Sequence, residues 1–225
     1  MYHHKIPERE KPDKEQYIIH RGELPTREEI LGTGIVIASF DPATENFAYR
    51  VEYRGPTGIQ TLSSYKLKLD HSVTFGRTPL YHQLTQVLET LAFREHIRMV
   101  VVERQMSCNY VAVRVSQHLL TYFMQIPSDK ICVVELNPQV KTRALKCPKG
   151  LNKSAIKVWS GEKARELSTL RGDFQMLQLL DVNKKKDDDL ADTVIQVEAF
   201  SVLLGLPTTQ EIIHLRTAAG VGSAV

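Results

Sequence analysis

Hydrophobic and polar residues alternate along the first half of the chain in the pattern of a β-meander. The run GIVIASFD is predominantly apolar up to Asp41, which is typical of a central strand. The next run, FAYRVEYR, alternates apolar with polar residues, as a half-buried strand does. A turn containing Gly55 and Pro56 separates it from IQTLSSYKLKL, which alternates again. These three runs predict three antiparallel strands.

After the meander, segments with helical spacing alternate with short buried strands. TPLYHQLTQVLETLAF, NYVAVRVSQHLLTYFM, SGEKARELSTL and LADTVIQVEAFSVLLG each have the spacing or apolar length of a helix. Between them lie two buried strands, RMVVVERQ, which contains Glu103, and KICVVELN. Helices interleaved with buried strands are typical of a sheet covered on both faces. We therefore predict an α/β fold with a mixed five-stranded sheet, in which two parallel strands extend the meander.

Composition divides the chain into three parts. Residues 1–32 are polar, contain prolines and show no sustained period, which predicts a flexible N-terminal arm. Residues 33–206 carry all the predicted strands and helices and form one domain, and residues 207–225 are interpreted as a C-terminal tail. The 225 residues, 42% hydrophobic and 24% charged, suit one globular domain with extensions.

Charge and cysteine content exclude several classes of protein. The net charge of +3 is compatible with nucleic-acid binding without demonstrating it. The three cysteines have no C-x-x-C spacing, which argues against a disulfide scaffold or a structural zinc site and favours a reducing compartment. No apolar run approaches transmembrane length, and the N-terminus lacks the apolar core of a signal peptide, so we expect no membrane partner.

Four acidic residues stand where an α/β sheet places its site. Asp41 and Glu103 end two predicted strands, and groups at the carboxyl ends of strands line the site crevice. Asp189 and Asp192 are three residues apart at the start of a helix and therefore share one face. Taken singly, Asp41 is also typical of a turn, Glu103 of an exposed ion pair, and the pair Asp189 and Asp192 of a helix cap. Together they would repel one another unless a cation binds, and carboxylate oxygens suit Mg²⁺ or Mn²⁺.

Three segments carry a resemblance to a known family. IVIASFDPATENFAYRV, VVVERQMSCN and KKKDDDLADTVIQ resemble the RuvC-like Holliday junction resolvases, in the branch shared by poxviruses, other large DNA viruses and fungal mitochondria. The resemblance spans residues 35–204, and the last motif is its most specific part. The chain departs from the family at Ala43 and Glu45, where a glycine and a lysine are usual.

The resemblance implies a fold, a reaction and an assembly. The fold is RNase H-like, and Asp41, Glu103, Asp189 and Asp192 fall on the four metal ligands of the family. The implied reaction is the paired, symmetric nicking of four-way DNA junctions by two-metal hydrolysis with Mg²⁺, for which Mn²⁺ can substitute. Its ends are ligatable, with a 5′ phosphate and a 3′ hydroxyl. The implied assembly is a homodimer formed through the helix at residues 109–124, with no small-molecule cofactor.

Basic residues complete the predicted site. The branch places a basic residue after the fifth strand, near the metals; Lys141 is the best match for this catalytic role, with Arg143 and Lys146 as rivals. The predicted contacts to DNA phosphates are Arg104, Arg143, Lys146, Lys184, Lys185 and Lys186. A solvated loop is the alternative interpretation of the last three lysines.

Two other functions share these features. A monomeric RNase H-type nuclease on RNA–DNA hybrids would use the same acids, and a catalytically idle DNA-binding module would use the same fold. The resemblance favours an intracellular protein of viral origin that acts in the cytoplasm or nucleus of an infected cell. A mitochondrial protein is disfavoured because the arm contains glutamates, which leaders lack.

Overall fold

A six-stranded mixed sheet organises the chain, and the computed structural model describes its residues 15–72, 79–182 and 188–218. The strands are β1 (Tyr17–Arg21), β2 (Ile35–Asp41), β3 (Phe47–Gly55), β4 (Gly58–Leu67), β5 (Ile97–Glu103) and β6 (Cys132–Leu136). The helices are α1 (Arg27–Gly32), α2 (Leu80–Glu89), α3 (Tyr110–Gln125), α4 (Gln139–Ala144), α5 (Lys153–Arg171), α6 (Phe174–Val182), α7 (Asp188–Leu204) and α8 (Thr209–Ala218). A short 3₁₀ turn, Arg94–His96, precedes β5.

The strand order is β1-β6-β5-β2-β3-β4. Strands β2, β3 and β4 form the antiparallel meander predicted from the alternating pattern, and β5 and β6 run parallel to β2. The prediction of five strands was wrong by one, because β1 pairs antiparallel with β6. Strand β1 escaped the pattern because it is a short edge strand whose residues are at most half-buried, so it needs little apolar alternation.

The described parts of the two chain ends, 15–32 and 207–218, contain regular structure. The expected arm, 1–32, contains β1 and α1, and Thr26 caps α1 by accepting a hydrogen bond from the Glu29 amide. The expected tail, 207–225, contains α8, whose Thr209 amide donates to Glu198 of α7 at 2.8 Å. Both segments are held by contacts with residues far away in sequence, which local composition does not reveal.

Alternation along the strands directs their side chains to two separate layers. From β2, Ala38 and Phe40 pack against α2 and α3, whereas Ile37 packs in the layer that contains α7. From β5, Val102 joins the α2–α3 layer and Val101 joins the α7 layer. Because successive strand residues point to opposite faces, Asp41 and Glu103 both project towards α7.

Polar contacts fix α7 across the middle of the sheet. Ser39 of β2 donates to the Thr193 carbonyl at 2.8 Å, and Gln196 donates to the Phe40 carbonyl at 3.2 Å. Most residues of α7 from Leu190 onwards are buried, so this helix is the centre of its layer. These contacts place the acidic first turns of α7 at the end of β2.

The polar side of β3 is buried, contrary to the half-buried strand that the alternation predicted. Six charged side chains form a buried arginine cluster between the sheet and α5, α7 and α8: Arg50, Glu52, Arg54, Arg171, Asp173 and Glu198. Arg54 Nη2 and Arg171 Nη2 each lie 3.0 Å from Glu198 Oε2. Burial raises the pKa of Glu198, but these two charges and the hydrogen bonds from Thr209 outweigh burial and bring the pKa to about 2.

Among the described residues, no single helix is long and apolar enough to cross a membrane. Helices α7 and α8 meet that criterion only as a pair, across a bend of 78°.

Candidate active site

Two carboxylates stand at the ends of neighbouring parallel strands. Asp41 is the last residue of β2 and Glu103 the last of β5, and the register pairs Phe40 with Val102 just before them. Burial, together with the negative charges of Glu103 and Asp192, raises the pKa of Asp41 well above its ordinary value. Burial also raises the pKa of Glu103. The two acids therefore meet in a weakly solvated place that disfavours their charged forms.

The first turns of α7 bring the remaining two acids to the same place. Asp189 and Asp192 lie on one face of the helix, and both charges act on Glu103 and Asp41. Burial raises the pKa of Asp189 against the opposing effect of Lys66. All four acids predicted from the sequence thus converge on one edge of the sheet, which we name the carboxylate edge.

Lys141 of α4 lies between these carboxylates. Its Nζ contacts Glu103 Oε2 and is 2.7 Å from Asp192 Oδ2, and its side chain is almost fully buried. Burial alone would lower the pKa of Lys141, but the charges of Asp192, Glu103 and Asp41 outweigh burial and raise it. The side chain is therefore an ammonium ion in the middle of the acids. Of the three candidates from the sequence, Lys141 is the one that reaches the carboxylates.

Two further lysines contact the acids of α7. Lys66 of β4 donates to Asp189, and Lys157 of α5 donates to Asp188. The sequence carried no signal for the contact of Lys66. Its neighbour Leu67 packs in the α2–α3 layer, so Lys66 faces the α7 layer, on the side of the strand that the alternation predicted to be exposed.

The donor set suits a hard divalent cation. Four carboxylates offer oxygen ligands, and Asp192 Oδ1 is buried without a hydrogen-bond partner in the described part of the chain. In the same described part, no three His, Cys, Asp or Glu side chains are already arranged around a common point for a metal ion. Lys141 and Lys66 hold the carboxylates instead. The residue chemistry fits Mg²⁺, and a bound ion would compete with these ammonium groups for the same oxygens.

The residues predicted to contact DNA differ in their exposure and in their contacts. Arg104 is half-buried, with its Nε 3.6 Å from Glu135 and its Nη1 3.4 Å from the Glu15 carbonyl, so it braces β1 and β6. Arg143 and Lys146 are exposed on and after α4. Lys184, Lys185 and Lys186 lie outside the described residues.

Comparison with known proteins identifies the fold. No family model matches the chain, and no curated protein matches its sequence. Among solved structures, the fowlpox virus resolvase in complex with Holliday junction DNA is 16% identical over 75% of this chain and 99% of its own, with a TM-score of 0.52. The yeast mitochondrial Holliday junction resolvase Ydc2 is 14% identical over 82% of this chain and 85% of its own, also with a TM-score of 0.52. Thermus thermophilus RuvC is 17% identical over 76% of this chain and 97% of its own, with a TM-score of 0.48.

The two matches with a TM-score of 0.52 confirm the predicted fold. The chain has the mixed α/β sheet with helices on both faces that was predicted for a RuvC-like, RNase H-like protein, with a sixth strand added at the edge.

Proposed function

We propose that this protein is a structure-selective endonuclease that resolves four-way DNA junctions by paired, symmetric nicks. The observation that carries the proposal is the convergence of Asp41, Glu103, Asp189 and Asp192 on the carboxylate edge, around a buried lysine. A purely structural role gains nothing from such mutual repulsion, because each buried carboxylate raises the free energy of the others. The fowlpox virus resolvase was solved together with Holliday junction DNA as its substrate, which supports branched DNA as the substrate here.

The four carboxylates would hold divalent cations, Mg²⁺ or Mn²⁺. When bound, two such ions supply a hydroxide nucleophile at neutral pH and stabilise the charge on the leaving 3′ oxygen. Strands β2 and β5 fix Asp41 and Glu103 by their backbone pairing, and α7 fixes Asp189 and Asp192. The site is therefore preorganised by the sheet and one buried helix rather than by loops.

Lys141 supplies a positive charge next to the reacting phosphate. Its Nζ is protonated and anchored by Glu103 and Asp192, so it stands beside the place where the phosphodiester must lie to be cut. A fixed ammonium group there stabilises the additional negative charge that the phosphate acquires in the transition state. Lys66 and Lys157 have a positioning role, because each holds one acid of α7.

The first test is cleavage of a synthetic four-way DNA junction with Mg²⁺. We expect two nicks at symmetric positions, ends that DNA ligase reseals, and complete loss of cleavage in EDTA with recovery when Mg²⁺ or Mn²⁺ is added. A duplex of the same sequence is the control and should remain intact. If the protein cleaves an RNA–DNA hybrid and leaves the four-way junction uncut, the RNase H-type alternative is established. Junction binding without cleavage in either metal would establish an idle binding module.

The second part of the proposal is a homodimer formed through α3, which would set two sites against two opposing strands. Helix α3 buries one apolar face in its own domain and leaves Tyr110 66% exposed and Met124 37% exposed. The Arg114 guanidinium lies 5.5 Å from the centre of the Tyr110 ring. Tyrosine, arginine and methionine are among the residue types enriched at protein interfaces, and here Tyr110 and Met124 are exposed beside the half-buried Arg114.

Tyr110→Glu is expected to convert the dimer to a monomer, because a charge buried in an interface costs about 2 kcal/mol or more. Sedimentation velocity measures the change, and the junction assay should then show single nicks in place of paired ones. Phe174→Glu is the matched control, since Phe174 is 79% exposed on α6, away from α3. A wild-type protein that sediments as a monomer on the junction would overturn the assignment.

A further inference from the structure

A cleft of about 540 Å³ lies in the connection between α4 and α5, the two helices whose Lys141 and Lys157 contact the acids. It begins one residue after Lys141, so the helix that carries this lysine also forms the wall of the cleft. Its volume lies within the range of roughly 300–1,000 Å³ that is usual for sites that hold small ligands. The lining residues that matter below are Arg143, Lys146, Pro148, Lys149, Leu151 and Ile156.

The cleft combines positive charge with an apolar wall. Arg143, Lys146 and Lys149 contribute three cations, and no acidic residue is among its described lining. Arg143 donates to the amide oxygen of Gln139, whereas Lys146 and Lys149 form no ion pair within the described part of the chain. Cations without acidic partners on a concave surface concentrate an anion there. The wall of proline, leucine and isoleucine adds a surface on which a flat, apolar group can lie.

The backbone at Lys146 provides a second, independent observation. Lys146 has φ 56°, in the left-handed region, and it ends the turn in which the Cys147 amide donates to the Thr142 carbonyl at 2.8 Å. Glycine is the usual residue at this position of a helix end, because a side chain there is strained. A lysine stands where glycine would be easier to accommodate. Residues held in this region are enriched at functional sites.

We propose that the cleft binds one nucleotide of the DNA strand next to the strand position that is cut. Its phosphate contacts Lys146, Lys149 and Arg143, and its base lies against Pro148, Leu151 and Ile156. The nearby N-terminus of α5, which Asn152 caps, adds a favourable dipole for the phosphate. This inference rests on the proposed function and deepens it, since it assigns a nucleotide subsite outside the carboxylate cluster.

The test uses Lys146→Gly, which removes the cation and relieves the backbone at once. We expect a melting temperature a few degrees higher than that of the wild type, because the left-handed strain is gone. Affinity for a fluorescein-labelled junction, and for a labelled single-stranded oligothymidylate, should fall roughly tenfold in EDTA, as expected for the loss of one charge-assisted contact. The dependence of log affinity on log salt should become shallower by about 0.9.

Phe93→Gly is the matched control. Phe93 is the other described non-glycine residue with positive φ, at 60°, and it precedes β5 at the end of the sheet opposite the carboxylates. This variant should keep wild-type DNA affinity. Equal DNA affinity of Lys146→Gly and Phe93→Gly would overturn the assignment of the cleft as a nucleotide subsite. A lower affinity of Lys146→Gly with an unchanged salt slope would overturn it as well. Neither result bears on junction cleavage by the wild type, whose absence would overturn the proposed function alone.

Discussion

Asp41→Asn is expected to reduce junction cleavage by roughly a thousandfold or more while the metal-free protein becomes at least as stable as the wild type. Both effects have one cause, the buried carboxylate. In the absence of a divalent cation, its charge is repelled by Glu103 and Asp192, and burial removes the water that would solvate it. Asparagine keeps the shape and removes the charge. The same substitution deletes an oxygen ligand from the centre of the proposed metal site.

Two measurements check this prediction. The first is single-turnover cleavage of the four-way junction, and the second is urea unfolding in EDTA. Asp129→Asn is the control, because Asp129 is exposed and distant from the carboxylate cluster, and it should change neither quantity. A clear loss of stability in Asp41→Asn would show that the carboxylate is a structural partner in the folded protein. That outcome would contradict its assignment as a destabilised functional group.

Arg54→Met is expected to destabilise the protein by about 3–5 kcal/mol, the usual consequence of removing one partner from a buried ion pair. Arg54 is fully buried, and its guanidinium contacts Glu52, Glu198 and the Pro207 carbonyl. Methionine fills a similar volume but leaves both carboxylates without this cation. The loss should also loosen α8, because Glu198 holds the Thr209 amide at its first turn.

The free energy of unfolding in urea measures the effect. Lys163→Met is the comparison, since the Lys163–Glu166 pair joins neighbouring turns of α5 with Glu166 half-exposed, and its removal should cost less than about 1 kcal/mol. The double variant Arg54→Met with Glu198→Gln should recover part of the stability, because it removes the excess negative charge that Arg54→Met leaves in the cluster. A cost for Arg54→Met no larger than that for Lys163→Met would show that water reaches the cluster in solution.

The sequence predicted the parts of this structure that depend on local periodicity. Strands β2 and β5 and the start of α7 follow from their apolar runs, so Asp41 and Glu103 could be placed at strand ends, and Asp189 and Asp192 at the start of one helix, from the sequence alone. Two rules bring Asp41 and Glu103 together, whereas Asp189 and Asp192 reach them only through the packing of α7 on β2. Alternation along a strand fixes the face of each side chain, and the carboxyl ends of parallel strands lie together.

Features formed by residues that are distant in the sequence were not predicted. Arg50, Glu52 and Arg54 occupy alternate positions of β3 and looked like a solvent-facing row, yet partners from α5 and α7 bury them. The same applies to Lys66, whose partner Asp189 is 123 residues away. Charged residues in a strand do not indicate whether residues later in the chain will form ion pairs with them. Only tertiary packing decides whether the polar face of a strand is exposed to solvent or buried.

Strand β1 has a practical consequence for labelling and purification. It runs antiparallel to β6, and the Asn137 amide donates to the Gln16 carbonyl at 2.9 Å, so the chain enters the fold beside the ends of β5 and β6. At the other end, Arg216 of α8 approaches Gly58 in the β3–β4 turn, on the far side of the sheet. A fluorophore or affinity tag fused before β1 would therefore start next to the carboxylate edge. The same tag attached after α8 would start from the opposite side, where it leaves that edge open.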